Sequence, residues 1–475
     1  MSPTESYGPS LTLFSWLAAA IFSFAMPLQA QDLGCPAEVS LNGAVIEVEA
    51  SASGDDTENI QCALEAAAAG GYREVFLTSS EYGIGAIEVT GFVGDLRGRS
   101  ATNTAVTVLD GSLSCAANTP GTALRFNVGT AAVRRMTINV DSPCGDGSVV
   151  NVIAYYTDPA DCSKRTTNGN VDRVTIAGAG IDGSDVVTGV VMDAAPECDP
   201  VSQKILGTLK INRSVLSGLE FGVLTSIAGG GQVDINYNDM LEIGLPITIV
   251  DAFQSTTILG NEISFNDQGG YDAGSGLGTT AIYVASTADS PDENSTTIKN
   301  NTFLDGGATS EGYALLSGQT GKNITHGIVV TGNTFEGNDG NSSGAGMAVI
   351  DTSGGLVSGN NFKGFAGTWV ALTSGAVDAG FLGSTVSGWA LVSNSFQTST
   401  ATTDVALGAG TQGNVVGRDQ GPPVVNDSGS NDVLESTSSS SSFLPSTPIA
   451  TGAQDLHQRQ LETIQGRAPA RGLAR

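Results

Sequence analysis

Short apolar runs separated by Gly-rich turns recur along this chain in two interleaved rows. One row reads GVVMD (from Gly189), FGVLT (Phe221), ITIVD (Ile247), AIYVA (Ala281), YALLS (Tyr313), MAVID (Met347) and WVALT (Trp369). The other is a run–bend–run unit: TILGNEISF from Thr257, TIKNNTFLD from Thr297, VVTGNTFEG from Val329, LVSGNNFKG from Leu356 and ALVSNSFQT from Ala390. Asn261, Asn301, Asn333, Asn360 and Asn394 fall in step, and Ile263, Phe303, Phe335, Phe362 and Phe396 follow two residues later. The spacings are 40, 32, 27 and 34 residues, so only loop length varies. A repeat of this size marks a solenoid, and a unit made of two β-runs makes its coils all-β.

The pattern predicts where side chains go. Asn at the bend is expected to take left-handed geometry and to bond its side chain along the stack. The Phe two residues on should face inward and stack, each contributing about 1.5–3 kcal/mol. The first row aligns by its run ends into one column: Asp193, Thr225, Asp251, Ala285, Ser317, Asp351 and Thr373. A strand with one wet face should alternate, yet these runs are apolar at both parities. Either loops such as 266–280 and 305–312 cover the outer face, or another molecule does, which makes self-association through this face an expectation.

The N-terminal part differs. Residues 44–48 read as a strand, and Asp56 is placed to cap a helix with Glu58 in its first turn. Ile60, Ala63, Leu64 and Ala67 form one apolar face at helical spacing, and Gly70-Gly71 ends the helix before the strand 74–78. This segment, GDDTENIQCALEAAAAGGYREVFLTSSEYGI, resembles the entry segment of the pectate-lyase-like superfamily, which includes polygalacturonases, bacterial surface enzymes and phage tailspikes. The resemblance covers about residues 38–420. It implies a right-handed, single-stranded parallel β-helix whose N-terminal α-helix covers the open end of the first coil.

Composition fits this organisation. The chain has 475 residues, 63 of them Gly, and only 14% charged residues, which suits many short strands joined by turns. The apolar run from Leu11 to Met26, followed by Pro27-Leu28-Gln29-Ala30, reads as an export signal over 1–30. The division is then a strand and capping helix over 31–80, coils over 81–425, and a Ser-rich linker with a tail over 426–475. Six cysteines, Cys35, Cys62, Cys115, Cys144, Cys162 and Cys198, argue for disulfides in a secreted, periplasmic or cell-surface protein. Sequential pairing is the most local connectivity, though others are open. No CxxC occurs, and His326 and His457 lie far from every cysteine, so no metal site is expected.

The formal charge is −28, and between Ser214 and Gly417 stand 18 Asp or Glu against Lys299, Lys322 and Lys363, with no Arg. Such a surface repels nucleic acid and anionic membranes, and it disfavours long-range attraction of polyuronates. Calcium is a candidate ligand of the acidic face, although no loop has recognisable ligand spacing. Basic residues are denser earlier, at Arg134, Arg135, Lys164, Arg165, Arg173, Lys204, Lys210 and Arg213.

The resemblance brings no catalytic residues with it. The polygalacturonase NTD, DD, GHG and RIK segments do not recur: the one Asp-Asp, Asp55-Asp56, lies in the cap, and His326 stands in Thr-His-Gly. The DPH pattern of alginate epimerases is missing too. A polyuronate lyase needs cations and a base that Ser214–Gly417 hardly supplies. If the protein is an enzyme, a glycoside hydrolase using two carboxylates is favoured. Two coils separate Asp193 from Asp251, about 9.6 Å, at the upper limit of inverting enzymes. Asp158 in the preceding coil would lie about 4.8 Å from Asp193. Turn-capping is the competing role for all three. Tyr156 and Tyr283 are candidates for stacking on sugars, and Asp351 for binding. The expected partner is a polysaccharide or cell-surface glycan; the alternative is a non-catalytic surface, adhesion or structural protein.

Overall fold

The computed structural model describes residues 33–433, apart from 116–119, 142, 145–147, 180–184, 200–202, 228–230, 251–254, 266–279, 286–294, 306–312, 319–323, 338–344, 351, 365–369, 374–385, 398–402 and 418–423. The expected export signal and most of the expected linker and tail fall outside the described residues. The chain is a right-handed parallel β-helix in which strands of successive coils pair in register. One sheet runs from the hairpin Val39–Asn42 and Val45–Val48 to Ser430–Val433, and a second carries the first-row apolar strands. The coils therefore continue past the expected end at 425, because Val425–Asp427 and Ser430–Val433 each pair with the coil before. The hairpin's first arm escapes sequence reading because it is short, half exposed and polar at Ser40 and Asn42.

Helix Thr57–Gly70 buries Ile60, Ala63, Leu64 and Ala67 against the first coil, and Gly71 ends it at φ 72°. Asp56 holds the N-cap position without capping the helix. Its buried carboxylate accepts the N–H groups of Ser51 and Gly83, tying the helix start to the first coil. Asp55 bonds the Thr57 N–H instead, at 3.0 Å.

The bend ladder is continuous. The Asn261 amide donates to the Ile235 carbonyl and to Asn301 Oδ1, each at 2.9 Å. The pattern repeats through Asn301, Asn333 and Asn360 to Asn394, all buried. It begins one coil earlier, at Asn238, where Met240 replaces the aromatic residue. The left-handed residue is not the Asn but the one before it: Gly260, Asn300, Gly332, Gly359 and Ser393 have φ between 54° and 68°. That residue turns the corner, which leaves the Asn side chain directed along the stack. Inside, Phe303, Phe335, Phe362 and Phe396 stack with centroids 4.7, 4.6 and 5.3 Å apart.

Three disulfides join Cys35–Cys62, Cys115–Cys144 and Cys162–Cys198. Such bonds persist in oxidising, extracytoplasmic surroundings. Among the described residues no helix is long and apolar enough to cross a membrane.

Candidate functional site

Four consecutive strands, Gly121–Asn127, Val149–Tyr156, Val186–Asp193 and Val215–Ser226, build the most featured outer face. Alternate residues point inward: Ile153 and Tyr155 join the central core. Ala154 and Tyr156 face out, into a second apolar cluster with Val191, Leu224, Ala194, Ala195 and Cys198. The segment Ala194–Cys198 covers this face. The Cys162–Cys198 disulfide and an Ala195 N–H bond to Thr157 Oγ1 at 2.9 Å hold it down. So loop cover explains the apolar outer parity here, supplied by a segment other than those expected; 266–279 and 306–312 lie outside the described residues.

Arg125 organises the face. Its guanidinium makes a bidentate pair with Glu197, at 2.8 and 3.2 Å, and lies 3.4 Å from Glu88. It also donates to Asn127 Oδ1 at 3.0 Å and covers the Tyr156 ring at 5.1 Å. Burial alone would lower the Arg125 pKa, but the Glu197 bond and the carboxylate charges raise it above its ordinary value. Asn127 in turn donates to Glu88 at 2.6 Å. Tyr156 is buried, and its hydroxyl accepts from Asn151 at 2.7 Å. Burial pushes its phenol pKa up, Arg125 opposes this, and the neighbouring Asp193 adds to it.

Asp193 pairs in register with Tyr156, which pairs with Asn127. Asp193 Oδ1 accepts the Ala194 N–H at 2.6 Å. Together Asn151, Tyr156, Val191, Asp193, Pro196 and Leu224 line most of a recess of about 10 Å³, room for about one water or one hydroxyl.

The expected carboxylate column does not form. Met192 pairs with Thr225 and Ser226 with Val250, so Val250, not Asp251, continues the column of Asp193. In this register Gly189 faces Gly222, where a Cβ on Gly189 would meet the Gly222 carbonyl oxygen at 2.8 Å, and the run ends do not face each other. In the preceding coil Tyr156 holds the place expected for Asp158. The Asp158 carboxylate caps its own turn, accepting from Ala160 at 2.9 Å and Asp161 at 3.3 Å, and pairs with Lys164 at 3.5 Å. Asp251 and Asp351 lie outside the described residues. Tyr156 and Tyr283 are both fully buried, so neither presents a ring face for stacking. Among the described residues the Tyr283 hydroxyl has no hydrogen-bond partner, and burial raises its pKa. Among the described residues no three metal-ligating side chains cluster.

Sequence reasoning missed Arg125, Glu197, Glu88, Asn127 and Asn151. Arg125 and Glu197 stand 72 residues apart, and no local pattern links them. The one available signal was that Glu197 adjoins a disulfide cysteine.

No protein-family model matches the chain, and no curated protein matches it in sequence. Solved structures do. The A-module of the Azotobacter vinelandii mannuronan C-5 epimerase AlgE6 aligns at TM-score 0.51 and 15% identity, over 82% of this chain and 97% of that one. The AlgE4 A-module of the same organism aligns at TM-score 0.42 and 16% identity, over 81% and 96%. The Streptococcus pneumoniae surface protein and adhesin PfbA aligns at TM-score 0.38 and 13% identity, over 81% and 95%.

Proposed function

We propose that this chain, a parallel β-helix of pectate-lyase-like fold, is an extracytoplasmic protein that binds a polysaccharide across the outer face carrying Asp193. The observation that carries the reading is the recess itself. A carboxylate and a carboxamide, Asp193 and Asn151, line it beside the apolar walls of Val191, Pro196 and Leu224. Sugars offer that combination in reverse: hydroxyl donors on their edges and C–H surfaces on their faces. A recess of this size takes one hydroxyl, while the rest of a linear glycan lies across the surface around it, beside the covering segment Ala194–Cys198. The cation at the site, Arg125, is already engaged by Glu197 and Glu88, so the face suits neutral sugars. The likeness to a mannuronan C-5 epimerase module supports a polysaccharide ligand in general. The disulfides support an extracytoplasmic setting.

Processing is the second reading, and the adjacency of Asp193 and Tyr156 favours it. A carboxylate beside a phenol is a pair able to accept and donate a proton. Asp193→Asn separates the two when binding and turnover are measured against a panel of neutral glycans. Lost turnover with retained binding supports processing. Lost binding alone supports a binding module. If a glycan is recognised and neither quantity changes, the site lies elsewhere.

A further inference from the structure

The covering segment Ala194–Cys198 closes off more surface than the recess alone. Beneath it Ala154, Val191 and Leu224 pair in register on three consecutive coils, a floor about 10 Å long at about 4.8 Å per coil. Tyr156 and Asp193 flank this floor. Tyr156, Val191, Asp193 and Leu224 are each only 2–4% exposed. The floor has room for the face of a sugar ring, yet the closed face admits one hydroxyl.

The segment is held at few points, and one of them is covalent. Ala194, Ala195 and Cys198 are buried, while Pro196 and Glu197 are exposed. Glu197 meets Arg125 from the solvent side, where water weakens an ion pair. The Cys162–Cys198 disulfide is the strong restraint. Its Cys162 end sits on a firm hook: Asp158 accepts the Ala160 and Asp161 N–H groups, and its own N–H bonds the Lys164 carbonyl at 3.1 Å. This disulfide differs from the other two. Cys115 and Cys144 pack against the central core, and Cys62 lies on the capping helix. Cys162 and Cys198 belong to the outer cluster instead. Breaking their bond frees the segment and leaves the central core packed. The two sulfurs are also unequal. Cys162 is half-buried and Cys198 is buried, so a thiol from solvent reaches Cys162 first. The Thr157 hydroxyl donates to Cys198 Sγ at 3.5 Å, which steadies Cys198 as the departing thiolate.

We propose that Ala194–Cys198 is a redox-released strap. Closed, it limits the Asp193 face to one hydroxyl; cleavage of Cys162–Cys198 by an external dithiol opens the floor to a whole sugar ring. The thiolate of the dithiol attacks Cys162 Sγ, the Cys162–Cys198 bond breaks, and Cys198 leaves as a thiolate that takes up a proton. The second thiol of the reagent then displaces Cys162 from the mixed disulfide. The reagent is oxidised to a cyclic disulfide, and the protein gains two electrons and two protons as two thiols. Reoxidation closes the strap, because the hook keeps Cys162 in place. The gating of a glycan rests on the reading of the Asp193 face given above; the release of the strap does not.

The test begins with native-state amide exchange on the whole protein, well below its melting temperature. The double variant Cys162→Ser/Cys198→Ser is compared with the unaltered protein and with Cys115→Ser/Cys144→Ser as control. Both variants lose one disulfide and its restraint on the unfolded chain, so a fall in melting temperature does not separate them. In the first variant the Ala194, Ala195 and Cys198 amides should exchange at least about tenfold faster, with strands 121–127 and 186–193 still protected. Unchanged exchange, or an equal rise in the control, overturns the strap. Dithiothreitol on the unaltered protein needs no substitution: iodoacetamide should trap Cys162 and Cys198 before any other cysteine. Any other order overturns the redox release. Calorimetry with cello-, manno- and malto-oligosaccharides then tests gating. At least one should bind the first variant about tenfold or more tightly than the unaltered protein. Binding of equal affinity by both forms overturns the gate. A strap that opens while no probe binds either form supports the release and overturns the glycan reading of the Asp193 face.

Discussion

Asn333 uses its whole side chain. Its amide donates to the Ile298 carbonyl and to Asn360 Oδ1, while its own Oδ1 accepts both the backbone and side-chain N–H of Asn301. Two residues on, Phe335 lies between Phe303 and Phe362 with nearly parallel rings. The two residues stabilise by different means, and substitution should separate them. Phe335→Ala is expected to cost about 3–5 kcal/mol through a cavity in a stacked core. Asn333→Ala should cost about 1–3 kcal/mol, because it leaves buried groups on both neighbouring coils without partners. Denaturant melts of both variants check the order; equal costs would mean that the ladder contributes more than single hydrogen bonds do. At this scale the sequence was highly legible. A residue that recurs at six successive bends and is buried each time leaves a visible mark. Asn238 was hidden only because Met240 stands where later coils have Ile or Phe.

Elements were less legible than residues, and the reason is register. Apolar runs show that a strand exists, but their ends do not say which residue faces which. Gly189 faces Gly222, one place from the alignment of the run ends. The next coil differs by two places the other way, with Thr225 facing Ile249, so that Asp193 falls in line with Val250 and not with Asp251. The candidate site was harder still. Its chief ion pair joins a strand to the covering segment Ala194–Cys198, and only folding brings them together. This contact makes a pH prediction. Burial alone would raise the Glu197 carboxyl, but its hydrogen bond to Arg125 and that residue's charge outweigh burial and hold its pKa below the ordinary value. A carboxyl lowered in this way stabilises the folded segment above the unfolded value, about 4.3, and the contribution is lost as pH falls through the lower folded value. Amide exchange in Ala194–Cys198, corrected for intrinsic rates, should therefore rise below about pH 4 while the underlying strands stay protected. Glu197→Gln should show the looser behaviour already at neutral pH.

Across the whole molecule, stabilisation is unevenly distributed. All three disulfides lie within the first 200 residues, whereas the longest run of the Asn and Phe ladders lies beyond Asn238. Each coil mainly contacts its neighbours, so the two halves report on different forces. Under reducing conditions the N-terminal coils should lose about 2–5 kcal/mol per disulfide, while the later coils keep their own transition. Differential scanning calorimetry should show one melting step splitting into two on reduction. A single step that moves as a whole would mean that the coils are coupled over longer distances than neighbour contacts allow.

The bend ladder also makes length a free variable. Its rungs are 40, 32, 27 and 34 residues apart, yet each makes the same bonds to the next. The interface between any two rungs is thus interchangeable, as with beads on a rod. Removing residues 334–360 would join Asn333 to Asn361, set Asn333 next to Asn394 and Phe362 between Phe303 and Phe396, and shorten the rod by one coil, about 4.8 Å. A lineage can therefore lengthen or trim this scaffold by whole turns without redesigning its core, and the proposed Asp193 face, which lies on earlier coils, would be carried along unchanged.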